Sequence, residues 1–327
     1  MRFVRLLLLL VLAVAAALWF YGLHPYGPNA ETFVDIPART GSQGIAVRLE
    51  QAGIIRSRYA FELLRIIKGG TLKAGEYRFA GPTTVDAVYT RIARGDVYTR
   101  TLVIPEGFNI FDIAQAVQNA GFGTAADFLA AEQHDTVLIA DLSPQASSLE
   151  GYLFPDTYRF QRHASPNQIL ARMVDRFRQV AAQLNLPPGP DVARTVTLAS
   201  LIEKEVSVDA ERPLVAGVFK NRLAAGMALA TDPTVVYAAL LAHRWRGTIY
   251  QSDLQADSPY NTYRRPGLPP GPIANPGIAA LKAALHPADT PYLYFVADAQ
   301  GHSQFSVDLK EHTRKVQAYR NALRANP

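Results

Sequence analysis

Residues 199–213 read ASLIEKEVSVDAERP and place Glu203, Glu205 and Glu211 at the end of an apolar run. A carboxylate at the edge of a dry surface loses solvation in its charged form. Its pKa then rises towards the range where it can both give and take a proton. The same residues at an open helix end would simply be solvated. At 100° per residue, Val192, Val196, Leu198, Ala199, Leu201, Ile202 and Val206 span a wide apolar arc, with Thr197, Ser200 and Lys204 on a wet opposite side. Glu205 falls at one edge of this arc and Glu203 near the other, so helix geometry leaves the choice between them open.

The segments around this helix are rich in polar and aromatic groups. LEGYLFPDTY carries Glu150, and LATDPTVVYA places Asp232 and Thr234 in a turn that opens a helix. Tyr260-Asn261-Thr262-Tyr263 precedes a stretch, 266–277, with five prolines and three glycines. Such a stretch could be a linker. Inside a dense domain it reads instead as a stiff loop presenting amide, hydroxyl and aromatic groups, a combination suited to a sugar. Asp232, Thr234, Tyr260, Asn261, Thr262 and Glu150 are the candidates for holding a substrate, and each has a plain alternative as a turn or cap residue. His302 in GHSQFS reads as a turn residue that could also touch substrate.

These residues need elements to position them. PNQILARMVDRFRQVAAQL, DVARTVTLASLIEKEV, ERPLVAGVFKNRL and GIAALKAAL read as helices, the last capped by Asn275; PYLYFVAD and GHSQFSVDL read as paired strands. Upstream, ETFVDIP, AGEYRFA and VYTRTLVIPEG alternate like strands. GSQGIAVRLEQAGII, SRYAFELLRIIKGG (behind Ser57) and PTTVDAVYTRIARG (behind Thr83 or Thr84, closed by Gly95) read as helices. NIFDIAQAVQNAG forms a helix behind Asn109. The expected class is α+β throughout. The expected organisation is a tip and anchor at 1–23, a tether at 24–30, a small module at 31–105, a connecting region at 106–148 and a catalytic domain at 149–327.

At the N-terminus, Leu6–Leu23 is an uncharged run of 18 residues behind Arg2 and Arg5. This is long enough to cross a bilayer, and the basic flank predicts a cytoplasmic N-terminus with the rest of the chain outside. A cleaved signal peptide is the rival reading, but Trp19, Phe20 and Tyr21 as an interfacial belt favour retention. The absence of cysteine excludes disulfides, thiolate metal sites and a cysteine nucleophile. A net charge of +5 over 327 residues is too diffuse to argue for nucleic acid. No cofactor and no metal site are expected.

In their order, LEGYLFPDTY, ASLIEKE, ERPLVAGVFKNRL, LATDPTVVYA, YNTYRRPGLPPGPIANPG, HPADTPYLYFVAD and GHSQFS resemble the endolytic murein transglycosylase family (MltG, YceG-like). The resemblance implies an N-terminal transmembrane helix, a LysM-like α+β module over 31–105 and a larger α+β catalytic domain. It implies a lyase that cleaves the bond between N-acetylmuramic acid and N-acetylglucosamine in nascent peptidoglycan, leaving 1,6-anhydromuramyl ends and terminating strand elongation. The family's catalytic acid is the second glutamate of its EKE motif, which lands on Glu205. The implied partners are glycan strands, the membrane (the inner one in a Gram-negative cell) and peptidoglycan synthases. Two other classes compete: a non-catalytic peptidoglycan-binding scaffold, and a pyridoxal-phosphate lyase, which the export signal and the lack of a recognisable Schiff-base lysine disfavour.

Overall fold

The computed structural model describes residues 2–186 and 190–325. The chain divides into two compact units, Met1–Arg100 and Thr101–Pro327.

The first unit begins with α1 (Arg2–Leu18), whose backbone passes into a π turn at Trp19–Leu23. Among the described residues no helix is long and apolar enough to cross a membrane. At about 1.5 Å per residue the 17 residues of α1 reach about 26 Å, short of a hydrocarbon core of about 30 Å. The run Leu6–Leu23 expected to cross a bilayer comprises most of α1 and the π turn that follows it.

Beyond the π turn, β1 (Thr32–Ile36), α2 (Ser42–Gln51), α3 (Arg58–Lys68), β2 (Gly75–Phe79) and α4 (Val85–Arg94) enclose a small core of Ile36, Leu49, Phe61, Tyr77, Val88 and Ile92. The β1 and β2 strands pair antiparallel, with Val34 opposite Tyr77. Thr84 caps α4 by accepting the amide of Ala87 at 3.2 Å, and Gly95 closes the helix at φ +79°, a conformation that favours glycine. Ser57 precedes α3 but makes no cap bond through its side chain; Glu50 accepts the Arg58 amide instead, at 3.0 Å.

The second unit begins within β3 (Arg100–Val103) and contains α5 (Ile110–Asn119), α6 (Ala125–His134), β4 (Thr157–Phe160), α7 (Pro166–Gln183) and α8 (Pro190–Glu205). It continues through α9 (Arg212–Ala224), α10 (Asp232–Leu241), α11 (Gln251–Leu254), α12 (Ile278–Leu285), β5 (Tyr294–Ala297), β6 (Ser303–Ser306) and α13 (Leu309–Ala325). The β3 strand pairs with β4, and β5 pairs antiparallel with β6. Asn109 opens α5 with a reciprocal capping box to Asp112. One core joins Ile110, Ile113, Phe128, Leu153, Phe177, Val196, Ile202, Phe219 and Leu281. The segment 106–148 is thus part of this core and not a separate connector, because α5 and α6 bury their apolar faces in it.

The α8 helix runs through the middle of the unit, packed against α12, α9 and α10. Thr197 and Ser200, expected on a wet face, are buried. Their hydroxyls donate to the carbonyls of Ala193 and Thr197, both at 2.7 Å, and Ser200 also accepts the amide of Ile273. Hydroxyls satisfied by backbone can be buried at little cost. The proline-rich strip enters here: Pro272–Gly277 is buried, and a Cβ on Gly151 (φ +87°) would lie 2.5 Å from Pro272 and 2.8 Å from Val196. Only glycine fits that crossing.

Candidate active site

The α8 helix ends at Glu205, beside a cavity of about 390 Å³. Its walls come from Phe219 and Arg222 on α9, Leu229, Ala230 and Asp232 before and at the start of α10, Tyr263 in the loop after α11, Tyr294 and Phe295 on β5, and Leu309 and His312 on α13. Burial pushes the Glu205 carboxyl up to about 7; the Thr231 hydroxyl and the Arg222 charge pull it down and Asp232 adds to the rise. The Thr231 hydroxyl oxygen is buried and has no hydrogen-bond partner within the fold, and its nearness to the carboxyl opposes the rise. A carboxyl near 7 is populated as both acid and base at neutral pH.

Glu203 sits two residues away in a different setting. Its Oε1 lies 3.1 Å from Arg212 Nη2, both side chains being 5% exposed, and its Oε2 accepts the amide of Gly277 at 2.9 Å. Gly277 is the residue before α12, so Glu203 serves the N-terminus of that helix. Asn275, expected in that role, works elsewhere: its Oδ1 accepts the Leu153 amide and its Nδ2 donates to Phe108 O and Glu150. Lys204 reaches Gly107 O at 3.1 Å. Glu211, the third acid of the opening segment, accepts the Ser303 amide and pairs with His302 at 3.0 Å, tying α9 to the β5–β6 hairpin.

Of the six residues expected to hold substrate, Asp232 lines the cavity with Glu205; it accepts a hydrogen bond from the Tyr263 hydroxyl at 2.6 Å. Thr234 and Thr262 are buried, with hydroxyls 2.8 Å apart, and together they brace Thr231: Thr262 accepts its amide and Thr234 donates to its carbonyl. Asn261 is also buried and spends its amide on the carbonyls of Asp253, Leu254 and Ala256. Tyr260 packs on Tyr237, ring centroids 5.1 Å apart. Glu150 is buried against the start of α5, accepting the Ile110 amide at 2.9 Å and Asn275 Nδ2 at 2.7 Å. Burial pushes its carboxyl up to about 8, with the bonds from Ile110 and Tyr237 opposing. Glu150, Thr234, Asn261 and Thr262 thus lie inside the fold, Tyr260 is half-buried, and Asp232 is exposed.

Arg222, Tyr294 and His312 are cavity residues that the sequence reading passed over. Each is a single residue on its own element, far from the others along the chain and outside any local pattern. Among the described residues no cluster of His, Cys, Asp and Glu could hold a metal ion.

The family model described as the YceG-like family matches residues 34–318. The chain is 34% identical over 319 residues to an endolytic murein transglycosylase of Bacillus subtilis (strain 168), covering 91% of this chain and 88% of that protein. It is 29% identical to the protein of that name from Streptococcus pneumoniae (serotype 2, strain D39), covering 96% of this chain and 64% of the longer relative. The crystal structure of a YceG-like protein from Listeria monocytogenes superposes with a TM-score of 0.57 at 33% identity, over 88% of this chain and 99% of that one.

Proposed function

The chain belongs to the YceG-like family, and from that premise we propose that it is an endolytic murein transglycosylase in which Glu205 is the sole general acid and base. The observation that carries the reading is the Glu205 carboxyl, pushed up to about 7 at the wall of a cavity formed by α9, α10, β5 and α13. In its protonated form it donates to the oxygen of the bond between N-acetylmuramic acid and N-acetylglucosamine. As carboxylate it then takes the proton of the muramyl C6 hydroxyl, which closes on C1. The nucleophile is part of the substrate, so its proximity replaces the second carboxylate that a hydrolase needs to activate water or form a covalent intermediate. The products are a 1,6-anhydromuramyl end and a free N-acetylglucosamine end, with no water consumed. Cleavage within nascent strands ends their elongation. Asp232, with Tyr263 on its carboxylate, shapes the cavity beside Glu205, while Glu150, Thr234, Tyr260, Asn261 and Thr262 support it from behind.

The reading extends to place. Peptidoglycan lies outside the cytoplasmic membrane, and α1 leaves Leu6–Leu12 exposed, an apolar surface that calls for lipid. We infer that α1, continued by the π turn to Leu23, anchors the chain with the catalytic unit outside, beside the synthases that supply its strands. The 31–105 module, LysM-like in this reading, contributes to glycan affinity. Alkaline carbonate should leave the chain in the membrane pellet; extraction into the supernatant overturns the anchor.

Mass spectrometry of glycan strands after incubation with the full chain tests the chemistry. Anhydro-ended fragments are expected, and Glu205→Gln should abolish them without unfolding the protein. Ends that have gained water, or anhydro ends from Glu205→Gln, overturn the assignment.

A further inference from the structure

The cavity beside Glu205 contains a guanidinium, that of Arg222, which no carboxylate of its walls meets in a described ion pair. Arg222 Nε donates to Leu293 O at 2.7 Å, and Nη1 donates to Leu229 O at 2.7 Å and Ala228 O at 3.4 Å. All three acceptors are neutral carbonyls, so they fix the guanidinium without cancelling its charge. Among the described ion pairs none joins Arg222 to a carboxylate. The guanidinium lies over the Tyr294 ring, 5.3 Å from its centroid, and His312 stacks on the same ring at 5.1 Å with planes 23° apart. His312 Nδ1 is buried without a hydrogen-bond partner. Burial first, then Arg222 and Lys315, hold that imidazole below its ordinary pKa, which favours the neutral ring. Of the other charges nearby, Glu205 and Asp232 line the same cavity without pairing with Arg222, Asp232 accepting the Tyr263 hydroxyl, and Lys315 pairs with Glu311 at 2.8 Å.

We propose that Arg222 and His312 form an anion-accepting wall of the Glu205 cavity, and that the anion they take is an acidic substituent of the glycan strand. The proposal rests on the preceding reading of the substrate and deepens it. Sugar hydroxyls alone do not offset the desolvation of a guanidinium, whereas a carboxylate or phosphate oxygen forms a charge-assisted bond with it. Two parts of a nascent strand carry such oxygens: the carboxylates of the peptide arm, and the diphosphate at a lipid-linked end. An anion bound here also removes the influence of Arg222 on Glu205, which favours the protonated acid that the reaction needs first.

Binding of dye-labelled, uncrosslinked strands to the full chain in detergent tests this, with Glu205→Gln preventing turnover. Three strands are compared: peptide arms with free carboxylates, the same arms amidated, and amidated arms on a lipid-diphosphate end. At least one anionic strand is expected to bind about tenfold or more tighter than the amidated strand, the scale of a single hydrogen bond to a charged group. The strand that shows the preference identifies the source of the anion. Arg222→Gln should erase the preference. His312→Phe, which keeps the stack on Tyr294 and removes the ring nitrogens, should reduce it severalfold, and it provides the test if Arg222→Gln loosens the fold. Equal affinity for all three strands, or a preference untouched by either substitution, overturns the proposal. A wild-type chain that discriminates between the strands yet never cleaves them overturns the transglycosylase reading alone.

Discussion

Glu150 and Glu205 are both carboxyls that burial pushes far above the ordinary range, to about 8 and about 7, and they sit in opposite kinds of place. Glu150 is enclosed, 2% exposed, with both oxygens engaged by Ile110 and Asn275. Glu205 has no described hydrogen bond and opens on a space large enough for part of a sugar. A displaced pKa therefore does not mark a reacting group by itself. The two differ in whether a foreign atom can reach the proton, and whether the protein already uses every lone pair.

The largest break in this comparison comes from the rate. Glu205→Gln should lower formation of anhydro ends by about 10²–10⁴, the usual worth of general acid–base catalysis, at an unchanged melting temperature. In the wild type, kcat/KM should fall as pH rises through about 7, where the acid form is lost. A flat profile between pH 6 and 8 would detach the reaction from Glu205.

Glu150→Ala should act on stability instead. It leaves the Ile110 amide and the Asn275 side chain without their buried acceptor, at about 1–3 kcal/mol each, measured as a drop in the denaturant midpoint. Glu150→Gln keeps one acceptor and should cost less, with activity per folded molecule retained. The folded pKa of Glu150 lies above that of the unfolded chain, so its stabilising effect is complete below about pH 4.5 and is lost as pH rises through about 8. Glu150→Gln should flatten that stretch of the stability profile. Loss of activity in folded Glu150→Gln would put this residue in the chemistry.

The smallest effect is expected at Glu203. Glu203→Gln keeps an acceptor for Gly277 and Arg212 but removes a negative charge from a buried pair, so a loss of about 1–3 kcal/mol is expected, with activity retained at temperatures where the protein is folded. A folded but inert Glu203→Gln would make the two acids of the motif equal partners.

Much of this frame was legible in the sequence. The helix that ends in the two acids, the Asn109 cap and the β5–β6 pair follow from periodicity and turn chemistry. Periodicity could not separate Glu203 from Glu205, because both lie at an apolar edge. Arg212 separates them, seven residues past Glu205 and across a turn, by claiming Glu203. By residue type alone, Thr197, Ser200, Asn261 and Thr262 are polar and so belong on a wet or displayed surface. Each instead bonds to backbone inside the fold, which a residue type alone does not reveal. Arg222, Tyr294 and His312 meet only in three dimensions.

Asn275 has a consequence for how the chain is made. It joins Phe108, Glu150 and Leu153, residues 122 to 167 positions earlier, through its side chain, and it exchanges backbone bonds with Gly107 and Phe108. Contacts of such long separation come late in folding, since the loop must close before they reward it. Synthesis begins at the N-terminus, so α5 and the Gly151 turn emerge long before the residue that locks them together. Until residue 275 has been delivered, the first half of the catalytic unit waits with open amides and an incomplete core. A chain arrested before that point should remain sensitive to protease along its whole second unit, while the Met1–Arg100 unit, which needs nothing from beyond itself to fill its core, should already resist.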